Sequence, residues 1–266
     1  MHPVERLRHV ARATGYPQDV IVGETARALA SYTSDPQGLV TACRRMVQRQ
    51  PGSAPLVWLC ARVLCAGDPR AEIRVAMDEF TADRTAIELA HALPEEATVV
   101  VLGWPETIGT ALVRRGDVEV LVVDVHREGG GLVMQLVDAD VDAVDVPLSG
   151  LGAAVVEADL VLLEAAAVAP PGLLAVSGSL AAAAVARHHD VPVWAVAGVG
   201  RLLPERMWAP VCERALPGDA WDADDEIVPL TLIDRIVGPT GPLPVTDALR
   251  RTDCPVATEL FKGDVI

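Results

Sequence analysis

Lysine is almost missing from this 266-residue chain: of its 22 basic residues, all but Lys262 are arginine. That excludes a phosphate-binding loop that needs a lysine after its glycines, and any lysine Schiff-base chemistry in the body of the chain. Aromatic residues make up only 3%, so a core has to be built from Ala, Val and Leu. Positive charge is scarce too. The net charge of −15 repels a phosphate backbone, and Arg44, Arg45 and Arg49 read as a solvated helix face, so nucleic-acid binding is not expected. The five cysteines, at 43, 60, 65, 212 and 254, form no CxxC and no Cys/His pair at zinc spacing. No metal site is therefore expected. Cys60 and Cys65 fall in an apolar helical run and read as small hydrophobes, and the set suits a reducing cytoplasm. The opening MHPVERLRHVARATG lacks an apolar signal core. The longest apolar stretch, near residues 161–174, is interrupted by Glu164, Pro170 and Pro171, so no membrane span is expected.

What is present divides into two textures. Hydrophobic residues make up 51% of the chain, enough for a sizeable core. From about residue 4 to 92 the apolar positions recur three and four apart, in ERLRHVARA, GETARALASYT and DPQGLVTACRRMVQRQ. Asp35 is a candidate N-cap with Pro36 at the first helical position. Pro51-Gly52 breaks the chain, APLVWLCARVLCAG starts a helix ending at Gly67, and MDEFTADRTAIELAHAL is one further helix stopped near Pro94. From Thr98 short β-branched runs alternate with helical segments: TVVVLGW, VEVLVVDVH, VDAVDVP, ADLVLLEA and VPVWAVAG. Such runs are strands buried on both faces of a parallel sheet with crossover helices. EIVPLTLIDRIVG reads as a short helix, PTGPLPV as a loop, and the last residues as extended or disordered. The expected fold is α/β: a helical N-terminal domain, residues 1–95, followed by a Rossmann-like domain with a mostly parallel sheet, residues 96–266.

Ligands of such sheets sit beyond the carboxyl ends of the strands, which directs attention to Gly103, Trp104, Arg127 and Glu164. SGLGAAV is a poor dinucleotide fingerprint, lacking its third glycine and an acidic strand end, so no cofactor is expected. Ser177, Gly178 and Ser179 open the helix SLAAAAVARHHD; free amides there can hold an anion, or the serine is an ordinary cap. Arg127 can bind a phosphate or carboxylate in two-pronged fashion, or pair with Asp124 or Glu128. Glu164, ending a very apolar run, can serve as a general acid or cap a neighbouring loop. His188-His189 ends a helix, where imidazole suits the helix dipole, and no converging ligands suggest a metal.

Several of these segments resemble one family. QPGSAPLVWLC (50–60) is similar to the Arg-Pro-Thr-Ala-Val-Asn-Leu element of the translation initiation factor 2B alpha/beta/delta superfamily, which includes methylthioribose-1-phosphate isomerase and ribose-1,5-bisphosphate isomerase. ADLVLLEAAAV and GLLAVSGSLAAAAVARHHDVPVWAVA resemble its Asp-Leu-Val-Leu-Val-Gly-Ala-Asp and Asn-Lys-x-Gly-Thr core. EIVPLTLIDRIVGPTG resembles its closing element. The resemblance spans about residues 20–255, with the elements in order, and implies a helical domain before a Rossmann-like one and assembly as dimers. The departures fall on the chemistry. Gly103 or Trp104 stands where the isomerases carry a cysteine, and Ala166 where they carry an aspartate, with Glu164 at the preceding glycine. Ala175 and Val176 replace the Asn-Lys pair. Val22, Gly23 and Glu24 replace an Arg-Gly-Ala element, and Gln50, beside Arg49, replaces an arginine. Gly178-Ser179 and Arg127 survive.

The expected protein is therefore a non-catalytic relative: a cytoplasmic homodimer binding a phosphorylated or acidic metabolite, or a protein partner, with no cofactor and no catalytic residue. The alternative is a divergent sugar-phosphate isomerase with Glu164 as acid and base and Arg127 and the Gly178-Ser179 amides on the phosphate. A third reading is an assembly module whose Trp194, Trp208 and Trp221 make subunit contacts.

Overall fold

The computed structural model describes residues 18–216 and 218–263. The chain forms two compact units.

The first unit contains the described residues as far as Asp83, together with 199–216 and 252–263. Its helices are α1 (Gln18–Leu29), α2 (Pro36–Arg49), α3 (Ala54–Cys65) and α4 (Pro69–Thr81), with a later helix at Glu205–Ala215. Asp35 caps α2 by accepting from the Gly38 N–H at 3.0 Å, and Asp68 caps α4 through the Arg70 and Ala71 amides. Helix α3 is apolar on nearly every side, and Ala54 through Ala61 are all buried, which makes it the centre of this unit. Gly200, at φ +81°, passes so close that a Cβ there would lie 3.0 Å from the Pro55 Cα and 3.1 Å from the Trp58 ring. The expected helix 5–13 lies outside the described residues. The single helix expected over MDEFTADRTAIELAHAL is two, because the chain turns between Thr81 and Thr85. Of the two cysteines read as core, Cys60 is buried, whereas Cys65 ends α3 and is exposed.

The second unit contains residues 84–198 and 218–251. Helix α5 (Thr85–Ala92) leads into β1 (Thr98–Leu102), α6 (Glu106–Arg115), β2 (Glu119–Asp124), α7 (Gly129–Val137) and β3 (Asp142–Pro147). A 3-10 turn at Leu148–Gly150 then enters α8 (Leu151–Glu157), followed by β4 (Leu160–Glu164), β5 (Ala167–Ala169), β6 (Gly172–Val176), α9 (Ser179–His188), β7 (Val193–Val196) and β8 (Asp225–Val228). Strands β9 (Arg235–Gly238) and β10 (Gly241–Pro244) close the main sheet, whose order is β10-β9-β7-β4-β1-β2-β3. Within this sheet, among the described residues, only the β9–β10 pair is antiparallel. The strand order reverses between β1 and β4, which makes their carboxyl ends the switch point where this architecture binds ligands. A core of Val99, Val101, Ile108, Leu112, Val120, Val122, Leu132 and Leu162 fixes the strands and the covering helices.

Two segments fold differently from expectation. EIVPLTLIDRIVG is strand β8, a 3-10 turn and strand β9, and PTGPLPV contains β10. Short β-branched segments interrupted by Pro and Asp give the same apolar spacing as one helical turn, so pairing with β6, β7 and β9 decides the outcome. Strands β5, β6 and β8 form a small separate sheet. Residues 258–261 are a 3-10 turn, and 264–266 lie outside the described residues. Among the described residues no helix is long and apolar enough to cross a membrane.

Candidate functional site

The carboxyl ends of β1, β2 and β4 converge in the second unit. Gly103 follows β1 at φ +65°, its N–H donating to the Val123 carbonyl at 2.9 Å. Gly178 sits at φ +99° in front of α9. A Cβ on either glycine would press on Val125, at 3.2 Å from Gly103 and 3.4 Å from Gly178, so the two flank one side chain. Trp104 is exposed and its ring lies over Gly131, where an added Cβ would come within 2.3 Å. Gly131, in the first turn of α7, therefore makes room for that ring.

Glu164, at the end of β4, reaches across to α6. Its Oε2 accepts from the Thr107 N–H at 2.9 Å and the Ile108 N–H at 3.2 Å, while Oε1 accepts from the Thr107 hydroxyl at 3.1 Å. These amides belong to the unsatisfied, positive first turn of the helix. The carboxylate thus occupies the place an incoming phosphate takes at such a helix end.

The same device recurs at two other helices. Asp124 Oδ1 accepts from the Gly129 N–H at 3.1 Å in front of α7, and Glu226 Oε1 accepts from the Leu180 N–H at 2.8 Å in front of α9. Ser177 is occupied as well: its N–H donates to the Asp224 carbonyl at 2.8 Å and its hydroxyl to the Ala223 carbonyl at 2.5 Å. Ser179 is fully buried, and its hydroxyl has no hydrogen-bond partner among the described residues.

Arg127 is exposed, at φ +62°, and makes no ion pair or hydrogen bond with a described residue; of its two candidate partners, Asp124 and Glu128, the first is engaged with α7. A positive φ on a non-glycine residue is uncommon and marks a locally over-determined backbone. Next to it, His126 Nε2 lies 3.3 Å from the Asp224 carbonyl. Burial raises the Asp225 carboxyl above its ordinary value of 3.8, the neighbouring Asp224 raises it further, and His126 acts the other way.

For a carboxyl raised on folding, the native state holds its proton at higher pH than the unfolded chain. Asp225 therefore costs stability as pH climbs above 3.8, and the cost is complete once pH passes its raised value. Asp225→Asn is expected to raise the melting temperature at pH 7 and to confer no gain near pH 3.5, a window marked by the ordinary carboxylate range of roughly 4. Thermal melts at both pH values check this, and an equal gain at both would refute the assignment.

Three of the thiols, Cys60, Cys212 and Cys254, are held away from the nucleophilic thiolate form. Burial pushes Cys212 up to about 11; burial and the neighbouring Asp253 push Cys254 up to about 12; the Cys43 hydrogen bond and burial raise Cys60. No group of three or more His, Cys, Asp or Glu among the described residues is arranged to hold a metal ion. Of the three tryptophans considered for subunit contact, Trp208 is buried, Trp194 half-buried and Trp221 exposed. The capping roles of Asp124 and Glu226 were not anticipated from the sequence. Asp124 precedes a Gly-Gly-Gly helix start, which is a signal for a cap; Glu226 acts from 46 residues away.

The sequence profile of the initiation factor 2 subunit family matches residues 69–213, more than half of the chain. The chain belongs to that family. Its fold is similar to solved members. The translation initiation factor eIF-2B of Pyrococcus horikoshii OT3 superposes with a TM-score of 0.75 at 11% identity, over 93% of this chain and 98% of that one. A chain of the tetrameric eIF2B-beta2-delta2 complex from C. thermophilum gives a TM-score of 0.75 at 19% identity, over 93% and 91%. eIF2B beta from Chaetomium thermophilum gives 0.71 at 21%, over 91% and 86%. No curated protein matches the sequence significantly. The initiation factor 2 fold thus persists here at an identity where site chemistry has to be read from this chain's own residues.

Proposed function

We propose that this chain is a non-catalytic initiation factor 2B-like subunit that acts as a dimer through protein contact. The observation supporting this is the Glu164 carboxylate in the positive end of α6 at the switch point. Where a phosphorylated substrate would be held, the chain supplies its own anion, and Asp124 and Glu226 do likewise at α7 and α9. Residue identity agrees. An aldose–ketose isomerase needs a positioned acid and base, and Ala166, Ala175 and Val176 supply neither. The C. thermophilum relative assembles as a tetramer of two kinds of subunit, which favours self-association over a solitary chain here.

The test is direct. Purified protein incubated with ribose-1,5-bisphosphate or methylthioribose-1-phosphate is expected to show no conversion above buffer. Turnover that disappears in Glu164→Ala would overturn the proposal and restore the isomerase reading.

Arg127 supports a second reading, in which the site binds an acidic metabolite without converting it. An exposed guanidinium on a positive-φ residue, next to His126 in the chain, can grip a carboxylate or phosphate. Gly103 and Gly178, which flank Val125, would then form the rest of the rim, while Ser177 stays tied to the Ala223 carbonyl and Ser179 stays buried. Calorimetric titration with methylthioribose-1-phosphate decides it: heat that is lost in Arg127→Ala supports metabolite binding, and no heat with the parent chain removes it.

A further inference from the structure

We infer that the outward face of α7, with Trp104 at its head, is a docking surface for a basic amphipathic helix of a partner protein. The partner is a different molecule, so the inference goes beyond the dimer reading above and stands without it. Helix α7 reads GGGLVMQLV; it holds no charged residue, and Gln135 is its one polar side chain. Gly129, Leu132 and Leu136 face inward and are buried. A surface helix ordinarily turns polar side chains outward. Here Met134 is 69% exposed and Val137 53%. Gly131, Met134 and Val137 follow one another at three-residue steps, so they run along one side of the helix. The Trp104 ring, 46% exposed, lies over Gly131 and continues that line. Gly109 of α6 faces Leu132, where an added Cβ would come within 3.2 Å, and the exposed Val113 one turn further on adds an apolar flank. Exposed apolar side chains that adjoin in this way mark an interaction site. One large side chain per turn is the ridge against which another helix packs.

Charge selects the occupant. From Glu128 to Pro147 the chain carries Glu128, Asp138, Asp140, Asp142 and Asp145, and no Lys, Arg or His. All of these carboxylates are exposed, and none makes an ion pair or side-chain hydrogen bond with a described residue. Arg127 offsets Glu128 at the amino end, and Arg114 lies on α6. The surplus is therefore negative and sits at the carboxyl end of α7, where the helix dipole adds to it. A second copy would bring the same surplus to the contact. A neutral helix would cover the apolar line and leave the aspartates without partners. A helix with aliphatic residues three and four apart, and Lys or Arg over Asp138 and Asp140, satisfies both. Such a partner is also the kind that a chain of net charge −15 draws from solution.

The probe is a synthetic helical peptide of leucine and lysine, about four turns long, with leucines three and four apart. Calorimetric titration into the full-length chain is expected to show binding, whereas the same peptide with glutamate in place of lysine is expected to show none. Met134→Asn and Val137→Asn each remove an apolar contact and are expected to weaken the lysine peptide about tenfold. Both side chains are more than half exposed, so each variant is expected to keep the parent's circular dichroism spectrum and melting temperature. The double variant Asp138→Asn with Asp140→Asn is expected to weaken it about threefold and to flatten its dependence on salt. Val75→Asn, on α4 at a position 46% exposed, is the control and is expected to bind as the parent does. A parent that binds neither peptide overturns the inference. So does a lysine peptide held equally by the two α7 variants and the control, which would show attraction to net charge alone. A parent that self-associates and comes apart in Met134→Asn also overturns it, assigning the face to a second copy.

Discussion

Arg62→Met is expected to lower the melting temperature by about 4–6 °C, the shift that about 2–3 kcal/mol produces in a chain of this size. Arg62 projects from α3 with a side chain only 13% exposed, and pairs with Glu72 and Glu79 of α4 and, at 3.4 Å, with Asp253. Its guanidinium also lies 5.0 Å from the centre of the Trp58 ring. Trp58 in turn donates to Asp253 at 3.1 Å, so one cation ties together two helices and the returning C-terminal segment of the first unit. Hydrogen bonds and charge from Glu79 and Glu72 raise its pKa against the opposing effect of burial. Methionine keeps the stem but leaves three carboxylates around an apolar side chain. The loss is smaller than for a wholly buried pair because Glu79 and Asp253 remain half exposed to solvent. Arg62→Lys keeps one charge without the planar fork that reaches several carboxylates at once, so an intermediate melting temperature is expected. Calorimetry of the three proteins checks the order, and a methionine variant melting within a degree or so of the parent would show that the cluster contributes nothing measurable.

That cluster also shows what a sequence of this kind exposes to reading and what it hides. The helix α3 was legible because its apolar positions run unbroken from Ala54 and Pro51-Gly52 marks its approach. The clamp on it was not, because Glu72, Glu79 and Asp253 lie 10, 17 and 191 residues from Arg62. The same contrast holds in the second unit. Strands β1, β2, β4 and β7 are β-branched runs buried in a parallel sheet, and their pattern alone placed Gly103, Trp104, Arg127 and Glu164 at the ligand edge. Strands β8, β9 and β10 exist only through their partners, so local spacing gave a helix and a loop instead. At the site, sequence left Glu164 open between acid and cap. The distances to Thr107 and Ile108 show the cap, and no periodicity could have supplied a contact spanning 57 residues.

Glu164→Ala tests what that cap does, and two effects are expected together. The first is a loss of about 2 kcal/mol, combining a missing helix cap with two amides left without an acceptor in a half-buried place. The second is a gain of anion binding. With its carboxylate gone, the first turn of α6 presents the Thr107 and Ile108 amides to solvent at the positive end of a ten-residue helix. Sulfate is then expected to raise the melting temperature of the variant well beyond its effect on the parent, by binding the native state alone, while sodium chloride at equal ionic strength does not. Glu164→Gln retains an oxygen that can accept one of these bonds without the charge, so a smaller loss and a weaker sulfate response are expected. A variant as stable as the parent, or one indifferent to sulfate, would mean that the carboxylate is not standing in for a ligand anion. If both effects are found, the chain has exchanged a phosphate site for an internal carboxylate. That exchange would give a physical reason for a chain of the initiation factor 2 subunit family to carry its own carboxylate, in place of a bound anion, at its switch point.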